Sequence, residues 1–93
     1  MQYLTILGST GSIGVSTLDV VARNPQRFVV TALAARSRAD LLFEQCRRFL
    51  PKYAVLLDAD AAEGLQQRLR LAGIATEVLC GVQALERVAA LAE

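Results

Sequence analysis

Gly8-Ser9-Thr10-Gly11-Ser12-Ile13-Gly14 is the stretch on which the reading of this chain turns. A short apolar run, Tyr3-Leu4-Thr5-Ile6-Leu7, leads into it, and a second run from Val15 to Ala22 leads out with helical spacing. The pattern is strand, glycine turn, helix. Glycines at 8, 11 and 14 let the backbone turn tightly, come close to a ligand and press a helix onto a sheet. The unpaired N–H groups of the first helical turn then face outward, where the helix dipole favours an anion. The anion expected at such a turn is the pyrophosphate of a dinucleotide. The spacing here is G-x-x-G-x-x-G, not the commoner G-x-G-x-x-G, so the glycines alone are a weak signal. Hydroxyls at Ser9, Thr10 and Ser12 would add donors beside the backbone amides.

Outward from this turn the chain alternates strand and helix patterns. The first strand, Tyr3–Leu7, is apolar apart from Thr5, as a strand covered on both faces of a parallel sheet would be. The first helix is expected from about Ser12 to Arg23, with Ile13, Thr17, Val20 and Val21 on its apolar face and Asn24-Pro25 as its stop. A β-branched second strand, Phe28–Ala34, runs into the loop Ala35-Arg36-Ser37-Arg38. Ser37-x-x-Asp40 has the spacing of a capping box for a second helix with Leu41, Leu42, Gln45, Cys46 and Phe49 inward, ended by Pro51. A third strand, Tyr53–Leu57, precedes Asp58 as N-cap of a third helix that reaches Ala72, with Gly73 closing it and Arg68 and Arg70 facing solvent. A short fourth strand, Thr76–Leu79, and a fourth helix from about Val82 to Leu91, amphipathic through Val82, Leu85, Val88 and Leu91, complete the pattern.

Such alternation means an α/β chain: a Rossmann-like open parallel sheet of about four strands with helices on both faces. The short, polar-flanked fourth strand suits an outer edge, which predicts the spatial order 4-3-2-1. The apolar first strand then lies at an open edge, a position that complete domains cover. Residues 1–93 are therefore expected to form a single but incomplete, truncated domain that self-associates or exposes an apolar patch along the first strand.

Composition narrows the function classes. With 93 residues and 54% hydrophobic content the chain is globular and holds no more than one domain. Ten basic and nine acidic residues give a net charge of +1, which does not favour nucleic acid or an anionic membrane as partner. The apolar runs are strand-length, and Met1-Gln2-Tyr3 has no charged leader region, so a cytoplasmic protein is expected. Cys46 and Cys80 are too far apart for a CxxC pair and read as small buried residues in a reducing compartment. Histidine is absent, which removes the usual general base and zinc ligand, and no residue is read as catalytic or metal-binding.

The end of the second strand speaks to cofactor choice. A site for NAD usually carries an acid there, about 20 residues beyond the glycines, for the ribose hydroxyls. This chain has Arg36, Ser37 and Arg38 instead, and no carboxylate before Asp40. Two arginines and a serine suit a 2′-phosphate, and so NADPH. The predicted binding residues are Thr10, Gly11, Ser12 and Ile13 for the pyrophosphate, with Arg36, Ser37 and Arg38 for the 2′-phosphate.

LTILGSTGSIGVSTLDVVARNP, from Leu4 to Pro25, resembles the N-terminus of the 1-deoxy-D-xylulose 5-phosphate reductoisomerase family. The resemblance continues through EQCRRFLPKYAVL (Glu44 to Leu56) and TEVLCG (Thr76 to Gly81), and so spans nearly the whole chain. The family often has a Gly-Lys-Asn-like run where this chain has Arg36-Ser37-Arg38, a departure that leaves the cofactor class intact and changes the side chains offered to the 2′-phosphate. The resemblance implies NADPH as cofactor, a divalent metal (magnesium or manganese) in the full enzyme, a phosphorylated sugar as substrate and a role in isoprenoid precursor synthesis. It also implies that substrate and metal residues lie beyond Glu93, so that these residues alone would be inactive. Two other readings stay open: a stand-alone nucleotide-binding module without catalysis, and a reductase resembling the aspartate-semialdehyde dehydrogenases, which use a related glycine turn.

Overall fold

The computed structural model describes residues 1–90. The order of elements is β1 (Gln2–Leu7), α1 (Ser12–Arg23), β2 (Phe28–Ala35), α2 (Ala39–Phe49), β3 (Tyr53–Leu56), α3 (Ala59–Leu71), β4 (Glu77–Cys80) and α4 (Val82–Ala90). The four strands form one parallel sheet in the order β1-β2-β3-β4, which is the predicted 4-3-2-1. The fold is a Rossmann-like open α/β sheet. Leu91, assigned to the apolar stripe of the last helix, lies outside the described residues.

The two faces of the sheet are covered unequally. Leu18 and Val21 of α1, Leu42 and Cys46 of α2, and Leu65 and Leu69 of α3 share one core with Ile6, Leu33 and Leu56. The other face is covered by α4, whose Ala84 and Val88 pack on Ala32, Ala34 and Val55. A shift in the β1–β2 register between Leu4 and Thr5 sets Leu4 opposite Val30 and Thr5 opposite Ala32, so Thr31 is a bulged extra residue. The bulge explains how Val30 and Leu33, three apart, enter the same core.

Several helix ends follow from local chemistry. Asp58 caps α3, its carboxylate accepting the Ala61 N–H at 2.8 Å. At the other end Gly73, with φ of 75°, closes a Schellman motif: its N–H reaches the Arg70 carbonyl and that of Ile74 reaches Leu69. The capping box at Ser37-x-x-Asp40 does not form. Arg38 takes the N-cap position of α2 in the left-handed region, φ 65°, with no side-chain cap. Asp40 instead meets Arg68 of α3 at 2.9 Å, and the Arg68 guanidinium stacks over the Phe43 ring, so Arg68 staples two helices where solvent exposure alone was expected.

Other sequence expectations are also corrected. The inward face of α1 is Gly14, Leu18 and Val21, whereas Ile13 and Val20 are exposed at 83% and 53%. Gly14 sets that phase by its contact with the preceding turn, described below. In α4 Val82 is exposed and Ala84 takes its place inward. Of β1 only Ile6 is buried, because the strand stands at the edge. Cys46 is buried, and desolvation pushes its thiol up to about 12, keeping it protonated and inert, but Cys80 is exposed.

Candidate functional site

The turn between β1 and α1 uses its three glycines for three different reasons. Gly8 has φ of 68°, a conformation that side chains resist. Gly14 sits against that turn so closely that a Cβ would stand 2.2 Å from the Gly8 carbonyl oxygen and 2.6 Å from the Ser9 Cα. Gly11 meets neither constraint. Its φ of −80° and ψ of 170° suit any residue, and a Cβ would make only an ordinary 3.4 Å contact with the Gly8 oxygen. The position is exposed and opens on free space.

That space lies at the start of α1. Gly11 is the N-cap, has no side chain to cap the helix, and no acidic residue occupies the first turn. The first N–H to find a helical carbonyl is that of Val15, on Gly11, at 2.9 Å. The amides of Ser12, Ile13 and Gly14 are thus left to an outside acceptor at the positive end of the dipole. An anion with several oxygens matches this donor set, as a pyrophosphate does.

The second loop stands beside the first. Thr10 Oγ1 faces the Ser37 carbonyl oxygen at 3.4 Å, a long hydrogen bond between the two loops. Arg36, Ser37 and Arg38 are all exposed, and among the described residues neither arginine is in an ion pair. Arg38 in the left-handed region turns the chain sharply out of β2, a conformation costing an arginine about 1–2 kcal/mol. At the ends of β1, β2 and β3 a cleft of about 220 Å³ is lined by Leu7, Gly8, Ala35, Arg36, Leu57 and Leu85. It opens at the carboxyl ends of the strands, where open α/β sheets bind ligands.

Of the predicted residues Arg36 lines this cleft, Thr10 and Ser37 join the two loops, and Ser12 and Ile13 lie on a separate open surface with Ser16, Thr17 and Val20. Ser9 does not join them: it is wholly buried and its hydroxyl faces no ligand space. Leu57 and Leu85 were not foreseen as cleft residues. Both read as ordinary core positions, and only the way α4 crosses the second face, touching all four strands, brings Leu85 to the site. Among the described residues no group of three or more His, Cys, Asp or Glu side chains could hold a metal ion, and no helix is long and apolar enough to cross a membrane.

Comparison with known proteins finds one family across the chain. A family model for 1-deoxy-D-xylulose 5-phosphate reductoisomerase matches residues 4–93. The reductoisomerase of Nitrosospira multiformis is 65% identical over 91 residues, which is 98% of this chain and 23% of that protein. A crystal structure of DOX-P reductoisomerase in complex with NADPH, fosmidomycin and magnesium superposes with a TM-score of 0.90 at 37% identity, over 96% of this chain and 22% of that one. The Zymomonas mobilis enzyme in complex with NADPH superposes with a TM-score of 0.87 at 39% identity, over 95% of this chain and 23% of that one. The chain spans less than a quarter of the length of these relatives.

Proposed function

Because this chain belongs to the 1-deoxy-D-xylulose 5-phosphate reductoisomerase family, we propose that residues 1–93 are the NADPH-binding N-terminal part of such an enzyme. The whole enzyme would rearrange 1-deoxy-D-xylulose 5-phosphate and reduce the product to 2-C-methyl-D-erythritol 4-phosphate, in isoprenoid precursor synthesis and in the cytoplasm. When bound, NADPH supplies the hydride for the reduction. The role of this chain is to bind and orient. The amides of Ser12 and Ile13, with Thr10 beside them, would hold the pyrophosphate. Gly11 leaves it room, and Arg36, Ser37 and Arg38 would hold the 2′-phosphate. A divalent metal, magnesium or manganese, and the phosphorylated sugar belong to the longer enzyme, and residues 1–93 alone are expected to show no reductoisomerase activity.

Gly11 is the observation that carries this reading, since neither its backbone conformation nor its packing calls for a glycine. Titration of a reductoisomerase of full family length carrying residues 1–93 with NADPH tests it, and absence of binding would refute it. The arginine pair tests the 2′-phosphate assignment. Replacing Arg36 and Arg38 together by alanine should weaken NADPH about tenfold, below the full value of charge-assisted bonds because the loop is wet. NADH, which lacks the phosphate, should change by less than about twofold. Equal losses for both cofactors would assign the arginines another role.

As a separate chain, residues 1–93 are expected to self-associate through β1. That strand is an edge with Tyr3 and Leu7 exposed, and an open groove of about 660 Å³ lined by Tyr3, Val29, Leu50 and Pro51 adjoins it. Unpaired strand groups beside apolar surface favour pairing with a second copy. Sedimentation equilibrium over a concentration series should show association that a Tyr3→Lys change reduces. A monomer at every concentration would overturn the expectation.

A further inference from the structure

We propose that Gln45 is a positioning residue that holds the glycine loop in its ligand-ready shape and ties it to the arginine loop. The proposal rests on the nucleotide reading above and adds a residue that does not itself reach the ligand space. Gln45 lies on the buried face of α2 between Leu42 and Phe49 and is only 7% exposed. Its Nε2 donates a 2.7 Å hydrogen bond to the carbonyl oxygen of Ser9, 36 residues earlier in the chain.

Ser9 is the residue on which the loop pivots. It is fully buried, and its own N–H donates to the Ala34 carbonyl of β2 at 3.0 Å. Gly14 presses on its Cα from the helix side. The peptide that launches Thr10, Gly11, Ser12 and Ile13 is thus held by β2, by α1 and, at its carbonyl, by Gln45. The helix that carries Gln45 starts directly after Arg36-Ser37-Arg38. One side chain therefore links the two loops expected to hold the two phosphate groups of one ligand, and a fixed separation is what a rigid dinucleotide site needs.

The choice of glutamine has a cost that core packing alone does not explain. Among the described residues its buried Oε1 has no hydrogen-bond partner, nor has the Ser9 hydroxyl. A leucine or methionine would fill an apolar stripe without burying an unpaired acceptor. A residue kept at such a cost, with its one hydrogen bond directed at the loop backbone, points to the loop as the reason.

The test uses two variants in a reductoisomerase of full family length carrying this segment. Gln45→Met keeps the length and removes the donor. The hydrogen-bonded amides of Ser9, Gly11 and Val15 in and around the loop should then exchange with solvent about tenfold faster, while those of Ala54 to Leu56 in β3 keep their wild-type protection, and the NADPH dissociation constant should rise about tenfold. Gln45→Glu can donate to Ser9 only when protonated, so its loop protection should return at low pH and fade as the carboxyl ionises, above its usual value of about 4.3 because the site is buried. Unchanged loop exchange in Gln45→Met, or loop and β3 amides accelerating together with no return of loop protection in Gln45→Glu at low pH, would overturn the proposal. A wild-type protein that fails to bind NADPH would refute the nucleotide reading, and the exchange comparison would still decide whether Gln45 holds the loop.

Discussion

Replacing Gly14 with alanine is expected to destabilise the chain by roughly 1–3 kcal/mol, the range of a forced overpacking, and toward its upper end because the structure it meets cannot move aside. The added Cβ would lie 2.2 Å from the Gly8 carbonyl oxygen, 2.6 Å from the Ser9 Cα and 2.9 Å from the Gly8 carbonyl carbon. All three atoms are backbone, so no side chain can rotate to make room. Helix propensity pulls the other way, since alanine improves a helix interior by about 1 kcal/mol over glycine, and the clash is larger. Relief requires α1 to lift from the sheet, which would also withdraw Leu18 and Val21 from the core. Urea or thermal unfolding of the wild type and variant measures the difference. Equal midpoints would mean that α1 does not seat against the glycine turn as described.

The same contact explains which parts of the fold were legible in the sequence. Strand and helix succession, the glycine turn, the Asp58 cap and the edge position of the short last strand are all set by local signals, and the structure shows each of them. The phase of α1 was not legible. Ile13, Val15, Leu18, Val20 and Val21 place apolar groups nearly all round the helix, so periodicity cannot choose a face, and the residue that does choose it, Gly14, carries no hydrophobic signal. The Ser37-x-x-Asp40 pattern misled because Arg38 adopts a left-handed turn that starts the helix late, and Asp40 finds Arg68 across the helix interface. Gln45 looked like one more inward position, since its partner is 36 residues away and no local pattern announces it. Arg36, Ser37 and Arg38 were legible as a loop, while the neighbouring Leu57 and Leu85 needed the third dimension.

Gly11→Val should have the opposite character to Gly14→Ala: a large effect on binding and a small one on stability. The Gly11 φ of −80° is open to valine, and its Cβ would meet the Gly8 oxygen at an ordinary 3.4 Å. The position is exposed, so the extra methyl groups enter solvent and not the core. Loss of a glycine N-cap for a β-branched residue costs about 1 kcal/mol or less. The valine methyls would, however, stand in the space before the free amides of Ser12 and Ile13, where the pyrophosphate is proposed to sit. Losing that approach removes several charge-assisted hydrogen bonds together, so the NADPH dissociation constant should rise at least about 100-fold, near 2.7 kcal/mol. Calorimetric titration in a reductoisomerase of full family length, with the unfolding midpoint measured in parallel, separates the two effects. An unchanged dissociation constant would place the pyrophosphate elsewhere. A collapse in stability matching that of Gly14→Ala would show that Gly11 serves the fold, and the reason for three glycines in this turn would then be structural alone.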